Sequence, residues 1–437
     1  MPKVAFVVQR YGSEVIGGAE THARLVAEYL HHQQGWDVTI YTTTALDYET
    51  WKNHYPSGVC AVNGVEVLRF PCGFPRFVML FKIYSRLVSP LLRFTAGSLG
   101  KNPLARWALE FLEFLWFMLQ GPYSPRLVAA IEYDKDQFEK IFFFTYLYYP
   151  TIYGFAHCAE KAVLIPTAHD EYPLFFPKSK KILSDAAILL VNTEEEENLI
   201  KSVIRGKKNK ILKVGVGVEV PYARKFTIAN ADPSPAPPYP YLLYLGRVSK
   251  GKGVHELIQE FIKYRERSVH SSLQLLIAGA SEQQFQIPEH PAIHYLGPVS
   301  EEHKVTLVRN ALALVNPSTK ESLSLIVLEA LAMQTPIIVN GSCKVLSSYQ
   351  RYASTVLPYL SAREFSAHLD TVQRNYGTSS WQLQLKKSQT WVLKHYSWDK
   401  VYRSYQRALS YQGKMQRLPV PVLLPKNPAP NNFVRSL

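Results

Sequence analysis

One stretch constrains the fold more than any other. Ala313 to Val315 is a short apolar run that reads as a buried strand, and Ile337 to Val339 is a second. Between them, Leu325 to Met333 contains helix formers and no breaker. The unit is strand, loop, helix, strand, the repeating piece of a parallel sheet with helices on its faces. Its loop carries Lys320, Glu321, Ser322, Leu323 and Ser324, and the helix opens at Leu325. A helix start presents unpaired N–H groups and a partial positive charge, so it can hold a phosphate. Glu321 stands at that mouth. Glu329 lies one turn further in, about 6 Å along the axis. Carboxylates accept hydrogen bonds from sugar hydroxyls. Two of them flanking a phosphate cradle suit a sugar, a diphosphate and a ribose held in line.

The same pattern occurs elsewhere. Val4 to Val8 reads as a first strand, then comes a loop with Gly12, Gly17 and Gly18, then a helix over Ala19 to His31. Its glycine spacing is not the dinucleotide fingerprint, and Gly17-Gly18 alone would pass as a turn. Strands are expected at Val38–Thr42, Val65–Phe70, Ile141–Thr145, Ala162–Pro166, Ile188–Asn192 and Ile211–Val218. His169 follows the Ala162 strand, at the carboxyl end, where open parallel sheets bind ligands. Alone it reads as structural. Thr193 caps a helix whose Glu194 to Glu197 complement the helix dipole. Asp134-Lys135-Asp136 precedes a strand, at the wrong end for chemistry, and reads as a surface turn.

Residues 221–240 contain six prolines and can form neither a helix interior nor a central strand. They divide 1–220 from a second half over 241–395. There Tyr241–Leu245 is a strand, and Gly246 to Gly253 is a basic, glycine-rich loop with Arg247 and Lys252. Such a loop entering a helix suits a diphosphate, though it lacks P-loop spacing. Strands at Leu273–Gly279 and Ile293–Leu296 follow. Residues 396–412 form a closing helix, and 413–437 a loose tail.

Three separated motifs resemble the retaining GT-B glycosyltransferases of the fourth sequence family, the glycosyl transferases group 1. They are Arg247-x4-Lys252, Glu321-x7-Glu329 followed by Ala330, and Tyr396-Ser397-Trp398-Asp399; Gly-Gly-Ala-Glu at 17–20 fits the family's opening. The resemblance spans nearly the whole chain except 76–120 and the tail. It implies an α/β fold of two Rossmann-like, doubly wound domains facing across a cleft, with the C-terminal helix crossing back. It implies transfer of a sugar from a nucleoside-diphosphate sugar to an acceptor hydroxyl, with retention and without a metal or other cofactor. It assigns Arg247 and Lys252 to the diphosphate, Glu321 and His169 to the sugar, and Glu329 to the ribose. It gives Gly17, Gly18, Gly246, Ser322, Leu323, Ser324 and Leu325 to substrate binding, and the Val299 backbone to the nucleobase. The family usually has Phe-Gly where this chain has Leu323-Ser324, and Gly where it has Gln334. Those departures bear on the sugar more than on the fold.

Composition narrows the rivals. At 437 residues the chain is long for one core and natural for two. A net charge of +14 admits nucleic acid, an anionic membrane or phosphorylated substrates. A nucleic-acid binder would interleave basic and stacking aromatic residues along one face. Here Arg247 and Lys252 sit in a phosphate loop instead, so no nucleic-acid partner is expected. A non-catalytic GT-B scaffold that only binds a nucleotide sugar is the other rival. Cys60, Cys72, Cys158 and Cys343 lack metal spacing and look like reduced, mostly buried thiols of a cytoplasmic protein. The first apolar run is too short for a signal peptide, and no run reaches spanning length.

The 76–120 insert stands apart. From Arg76 to Arg106 it has six Lys or Arg and no Asp or Glu. Phe77, Leu80, Phe81, Tyr84, Leu87 and Val88 fall on one side of a helix, with Lys82 and Arg86 opposite. Ser89-Pro90 is expected to end that helix and place Arg93 in a second one. Glu110 and Glu113 argue against a span. The pattern fits a helix lying on an anionic membrane; in the resembled family this region borders the acceptor side of the cleft, which implies a carbohydrate or lipid-linked acceptor. It also fits an apolar face packed on the first domain.

Overall fold

A computed structural model of the chain describes residues 1–95, 102–204, 209–219, 237–268, 272–282 and 285–412. Most of the proline-rich 221–240 stretch and the tail from 413 lie outside them. The chain divides into two compact units. The first is Met1–Val216 together with the chain from Val401 onward; the second is Gly217–Lys400.

In the first unit, eight strands form one sheet. They are β1 (Lys3–Val7), β2 (Asp37–Thr43), β3 (Gly58–Val62), β4 (Val65–Phe70), β5 (Lys140–Phe144), β6 (Ala162–Ile165), β7 (Ile188–Val191) and β8 (Lys210–Lys213). The order is β3-β4-β2-β1-β5-β6-β7-β8, and only β3 runs antiparallel to its neighbour. Strands such as Ile-Phe-Phe-Phe at 141–144 are apolar on both faces because helices cover both sides. Sequence reading missed β3. Its signal was Asn63-Gly64, a hairpin dipeptide whose residues take φ of 48° and 81°, as a tight two-residue turn requires. The strand expected over Ile211–Val218 is only β8, four residues long.

The second unit holds six parallel strands. They are β9 (Tyr241–Leu245), β10 (Gln274–Ala278), β11 (Ile293–Gly297), β12 (Ala313–Asn316), β13 (Ile337–Asn340) and β14 (Val356–Tyr359). Their order is β11-β10-β9-β12-β13-β14. The loop carrying Arg247 leaves β9 and the loop carrying Glu321 leaves β12. These strands are direct parallel neighbours at the centre of the sheet, so both loops emerge side by side at its carboxyl end.

The closing helix, Trp398–Leu409, returns to the first unit. Tyr405 is fully buried there, its ring 5.2 Å from Phe142 and 6.2 Å from Phe6.

Asp134 is not on a surface turn. It is buried at the end of the helix Pro125–Asp134 and accepts hydrogen bonds from the Tyr41 hydroxyl (2.7 Å) and Gln137 (2.8 Å). Asp136 is solvated, its side chain 86% exposed.

The helix over Val78–Thr95 does not end at Ser89-Pro90. Pro90 removes the bond to the Arg86 carbonyl. Val88, Ser89 and Leu92 are buried on both sides of it, and that packing carries the helix through. A second helix, Pro103–Gln120, packs along the first; Tyr84 donates to the Leu112 carbonyl (2.9 Å) and Trp116 to Ser85 (3.0 Å). Glu113 anchors this pair to the rest of the unit by accepting from the Lys178 N–H at 2.6 Å. Burial pushes the Glu113 carboxyl up to about 7, against the pull of Lys178.

That shift has a signed consequence. Glu113 titrates near pH 4.3 in an unfolded chain, so the folded chain holds the proton more tightly. The stability this confers is complete below about pH 4 and is lost as pH rises through about 7. Glu113→Gln keeps an acceptor for Lys178 and removes the charge. It should match the wild type at about pH 4 and exceed it at about pH 8, by up to about 3 kcal/mol. Denaturant unfolding at the two pH values measures this, and a variant that is less stable at both contradicts it.

Candidate active site

The second unit assembles most of the expected residues. Asn316, at the end of β12, laces the Glu321 loop. Its side chain accepts from the Ser318 N–H (3.0 Å) and donates to Ser324 Oγ (2.9 Å). Leu323 is buried, and its carbonyl accepts from Tyr349 (2.6 Å). The loop therefore delivers Ser322, Ser324 and Leu325 to the start of the helix Leu325–Ala332. Ser324 takes φ 63°, a left-handed conformation that costs a side chain about 1–2 kcal/mol. Gln334, just past the same helix, takes φ 60°. These are two of the places where the resembled family usually has glycine, and the backbone explains that preference. Here Gln334 is held by a hydrogen bond to Gln389 at 2.9 Å.

The Arg247 loop approaches from β9. A Cβ at Gly279 would stand 1.9 Å from the Gly246 carbonyl oxygen. One at Gly253 (φ 75°) would stand 2.5 Å from the Pro317 carbonyl. Glycine at these positions lets the 246–253 loop lie against its neighbours. The approach brings Lys252 Nζ to 2.8 Å from Glu321 Oε1. Both side chains are partly buried, so this pair is screened less than a surface one. Arg247 is half-buried, and its carbonyl accepts from the Tyr244 hydroxyl at 2.5 Å.

Glu329 belongs to a different pair. Its two carboxylate oxygens lie 3.3 and 3.2 Å from Lys304 Nζ. Burial holds the Glu329 carboxyl above the usual range, and Lys304 opposes that. Burial also works against the Lys304 ammonium, but Glu329 and Glu301 outweigh it and hold it above its ordinary value. Lys304 lies on the helix Glu301–Asn310, which follows the Val299 loop and is capped by Ser300. Sequence reading did not single it out. Its signal was a lone basic residue in the first turn of a helix that starts Glu-Glu, where dipole considerations favour acids.

The first unit carries two of the loops expected from sequence. Gly17 is extended at φ 172°, so its need for glycine is spatial. A Cβ there would stand 2.2 Å from Glu20 Oε2 and 3.0 Å from Arg10 Nη2. Gly18 has no such neighbour; a Cβ there meets open space. Arg10 and Glu20 form a buried ion pair, with nitrogens at 2.5 and 2.9 Å from one carboxylate oxygen. Arg10 also donates to the carbonyls of Leu46 (2.7 Å) and Ile16 (3.2 Å).

His169 is half-buried in the loop after β6. Glu196 does more than complement the helix dipole. It is fully buried, accepting from the Ala168 N–H (2.6 Å) and the Asn192 N–H (2.7 Å). One carboxylate thus ties the ends of β6 and β7 and fixes the residue before His169. Burial pushes Glu196 up to about 7, while its two backbone donors hold it down. Thr193 caps this helix as expected, donating no charge but accepting from the Glu196 N–H at 3.2 Å.

All four cysteines are free thiols, three buried and Cys60 exposed. Among the described residues, no three His, Cys, Asp or Glu side chains are placed to share a metal ion.

Residues 239–370 match the family described as Glycosyl transferases group 1. An uncharacterized glycosyltransferase of Methanocaldococcus jannaschii is 25% identical over 185 residues, 40% of this chain and 46% of that protein. The match thus spans under half the length of the curated relatives. Among solved structures, a sucrose-phosphate synthase from Thermosynechococcus elongatus superposes with a TM-score of 0.63 at 16% identity, covering 93% of this chain and 98% of that one. HepE of Anabaena, solved in complex with UDP and glucose, gives 0.58 at 12% identity, over 94% and 100%. Residues 239–370 thus match the glycosyl transferases group 1 family, and the chain as a whole has the GT-B fold.

Proposed function

We propose that the protein transfers a sugar from a nucleoside-diphosphate sugar to a hydroxyl of a carbohydrate or lipid-linked acceptor, with retention of configuration. The observation that carries this reading is the meeting of Lys252 and Glu321 at 2.8 Å, from loops on neighbouring strands, beside a helix start. Breaking a sugar–phosphate bond leaves negative charge on the diphosphate and positive character on the sugar. Arg247, Lys252 and the backbone N–H groups at the start of the Leu325–Ala332 helix stabilise the first. Glu321 orients the sugar, adjacent to Lys252 so that the bond to be broken lies between anion holder and sugar holder. Glu329 accepts from the ribose, with Lys304 fixing its carboxylate. The leaving phosphate assists deprotonation of the acceptor on the same face, so no carboxylate pair at glycosidase spacing is needed. A UDP-binding solved neighbour supports a nucleotide sugar as donor.

The roles separate in binding and turnover. Glu329→Ala should weaken nucleoside diphosphate binding by about 1–3 kcal/mol, the scale of a lost charged hydrogen bond. Glu321→Ala should leave that affinity largely intact and suppress transfer from a panel of nucleotide sugars. His169→Ala should lower turnover without moving the melting temperature. Calorimetry with UDP and GDP gives the affinities. Equal loss of affinity in both glutamate variants sinks the assignment, and a wild type that binds nucleotide but turns over no donor makes the chain a binding scaffold instead.

A further inference from the structure

The pair of helices over Val78–Thr95 and Pro103–Gln120 presents three faces, not two. One face of the first helix, Phe81, Tyr84, Val88 and Leu92, packs into the core of the first unit. This takes part of the apolar side that sequence periodicity gave as single. A different set stays in solvent. Leu80 is 54% exposed, Ile83 58%, Leu87 70% and Phe94 72%, with Met79 and Leu91 beside them. At 100° per residue these fall within one arc of the helix, turned away from the core face. On the second helix Leu104 (73%) and Trp107 (52%) are exposed as well, and Trp107 stacks on Phe111 at 5.7 Å. Soluble proteins rarely leave a row of large side chains like this uncovered.

Charge selects what covers it. Between the core face and the exposed apolar face run Lys82, Arg86 and Arg93, and the helix has no acidic residue to balance them. Arg93 lies 4.2 Å from the Phe175 ring centre and 5.2 Å from that of Tyr172, and Lys180 approaches the same Phe175 ring. The apolar arc is therefore bordered by cations and amphipathic aromatics. A second copy of this chain would bring the same unbalanced basic stripe against itself. An anionic bilayer surface meets both features at once: acyl chains take the apolar arc and phosphates take the border. No helix among the described residues is long and apolar enough to cross a membrane.

We propose that this helix pair seats the protein on an anionic membrane, the exposed arc of Leu80, Ile83, Leu87 and Phe94 entering the interface and Lys82 and Arg86 contacting lipid headgroups. The inference adds a location to the transfer reading and does not depend on its chemistry.

The test is flotation of the full chain with phosphatidylcholine vesicles, with and without phosphatidylglycerol, and with no nucleotide sugar present. Binding should require the anionic lipid and weaken between about 0.05 and about 0.5 M salt. At about 1 kcal/mol per basic residue, Lys82→Glu with Arg86→Glu should lower partitioning by roughly 20-fold or more. Leu87→Ser with Phe94→Ser should lower it to the level of neutral vesicles. All four side chains are solvent-facing, so the melting temperature should hold in both variants. Wild-type protein that stays unbound with anionic vesicles at low salt overturns the proposal. So does a concentration-dependent dimer abolished by the Leu87 and Phe94 changes, because the arc then belongs to a second copy. Inorganic phosphate that competes fully at millimolar level would reduce the border to a phosphate site and overturn it as well. None of these outcomes bears on turnover, which is read separately.

Discussion

Arg10→Ala should destabilise the first unit by about 3–5 kcal/mol, the scale of a buried ion pair broken by removing one partner. The guanidinium is almost fully buried, pairs with an equally buried Glu20, and binds two backbone carbonyls. Removing it strands one carboxylate and two acceptors away from water. Replacing the pair together, as Arg10→Met with Glu20→Leu, should recover most of the loss, because no charge is then left alone. Urea unfolding followed by near-ultraviolet circular dichroism measures both variants. A single variant that loses less than about 1 kcal/mol would mean the pair behaves as a surface one. The glycine loop would feel the change too, since Gly17 sits against both partners.

The largest effect on activity should come from Arg247 and Lys252. Either residue replaced by Ala should lower kcat by about 10²-fold or more, the scale of losing one charge stabiliser at a leaving group. The reading that these two do the work a metal does elsewhere is checked by adding EDTA. Turnover should be unaffected. Activity abolished by EDTA and restored by manganese would refute it.

What could be read from sequence divides along a physical line. Strands buried on both faces, such as β1, β9 and β12, announce themselves as short apolar runs between breakers. The 316–340 unit was legible because its loop, helix and strands carry different residue chemistry in a fixed order. Gly253 was legible as part of a loop, but the reason for glycine there is the Pro317 carbonyl, contributed from elsewhere in the chain, which spacing cannot show. The same holds for Lys304 and Glu196. Each looks like an ordinary charged residue in the first turn of a helix, and each draws its role from a partner supplied by tertiary structure: Glu329 for one, the Ala168 and Asn192 N–H groups for the other. The insert shows the limit of periodicity. A helical wheel finds an apolar side but cannot divide it between core and solvent, and only packing decided that Phe81 and Val88 go in while Leu80 and Leu87 stay out. Pro90 shows the same override, since burial on both sides outweighs one lost hydrogen bond.

The return of the closing helix sets a timetable for synthesis. Phe6 and Phe142 leave the ribosome early, but the residue that covers them, Tyr405, is translated only after the whole second unit. Roughly 180 residues intervene, which at 5–20 residues per second is on the order of 10–40 seconds. Throughout that interval the nascent first unit carries an uncapped aromatic surface, open to chaperones and to misassociation. The second unit is contiguous in sequence and needs nothing translated later. A fragment ending at Val216 reproduces the early state permanently and should aggregate, and adding 398–412 in trans as a peptide should restore its solubility.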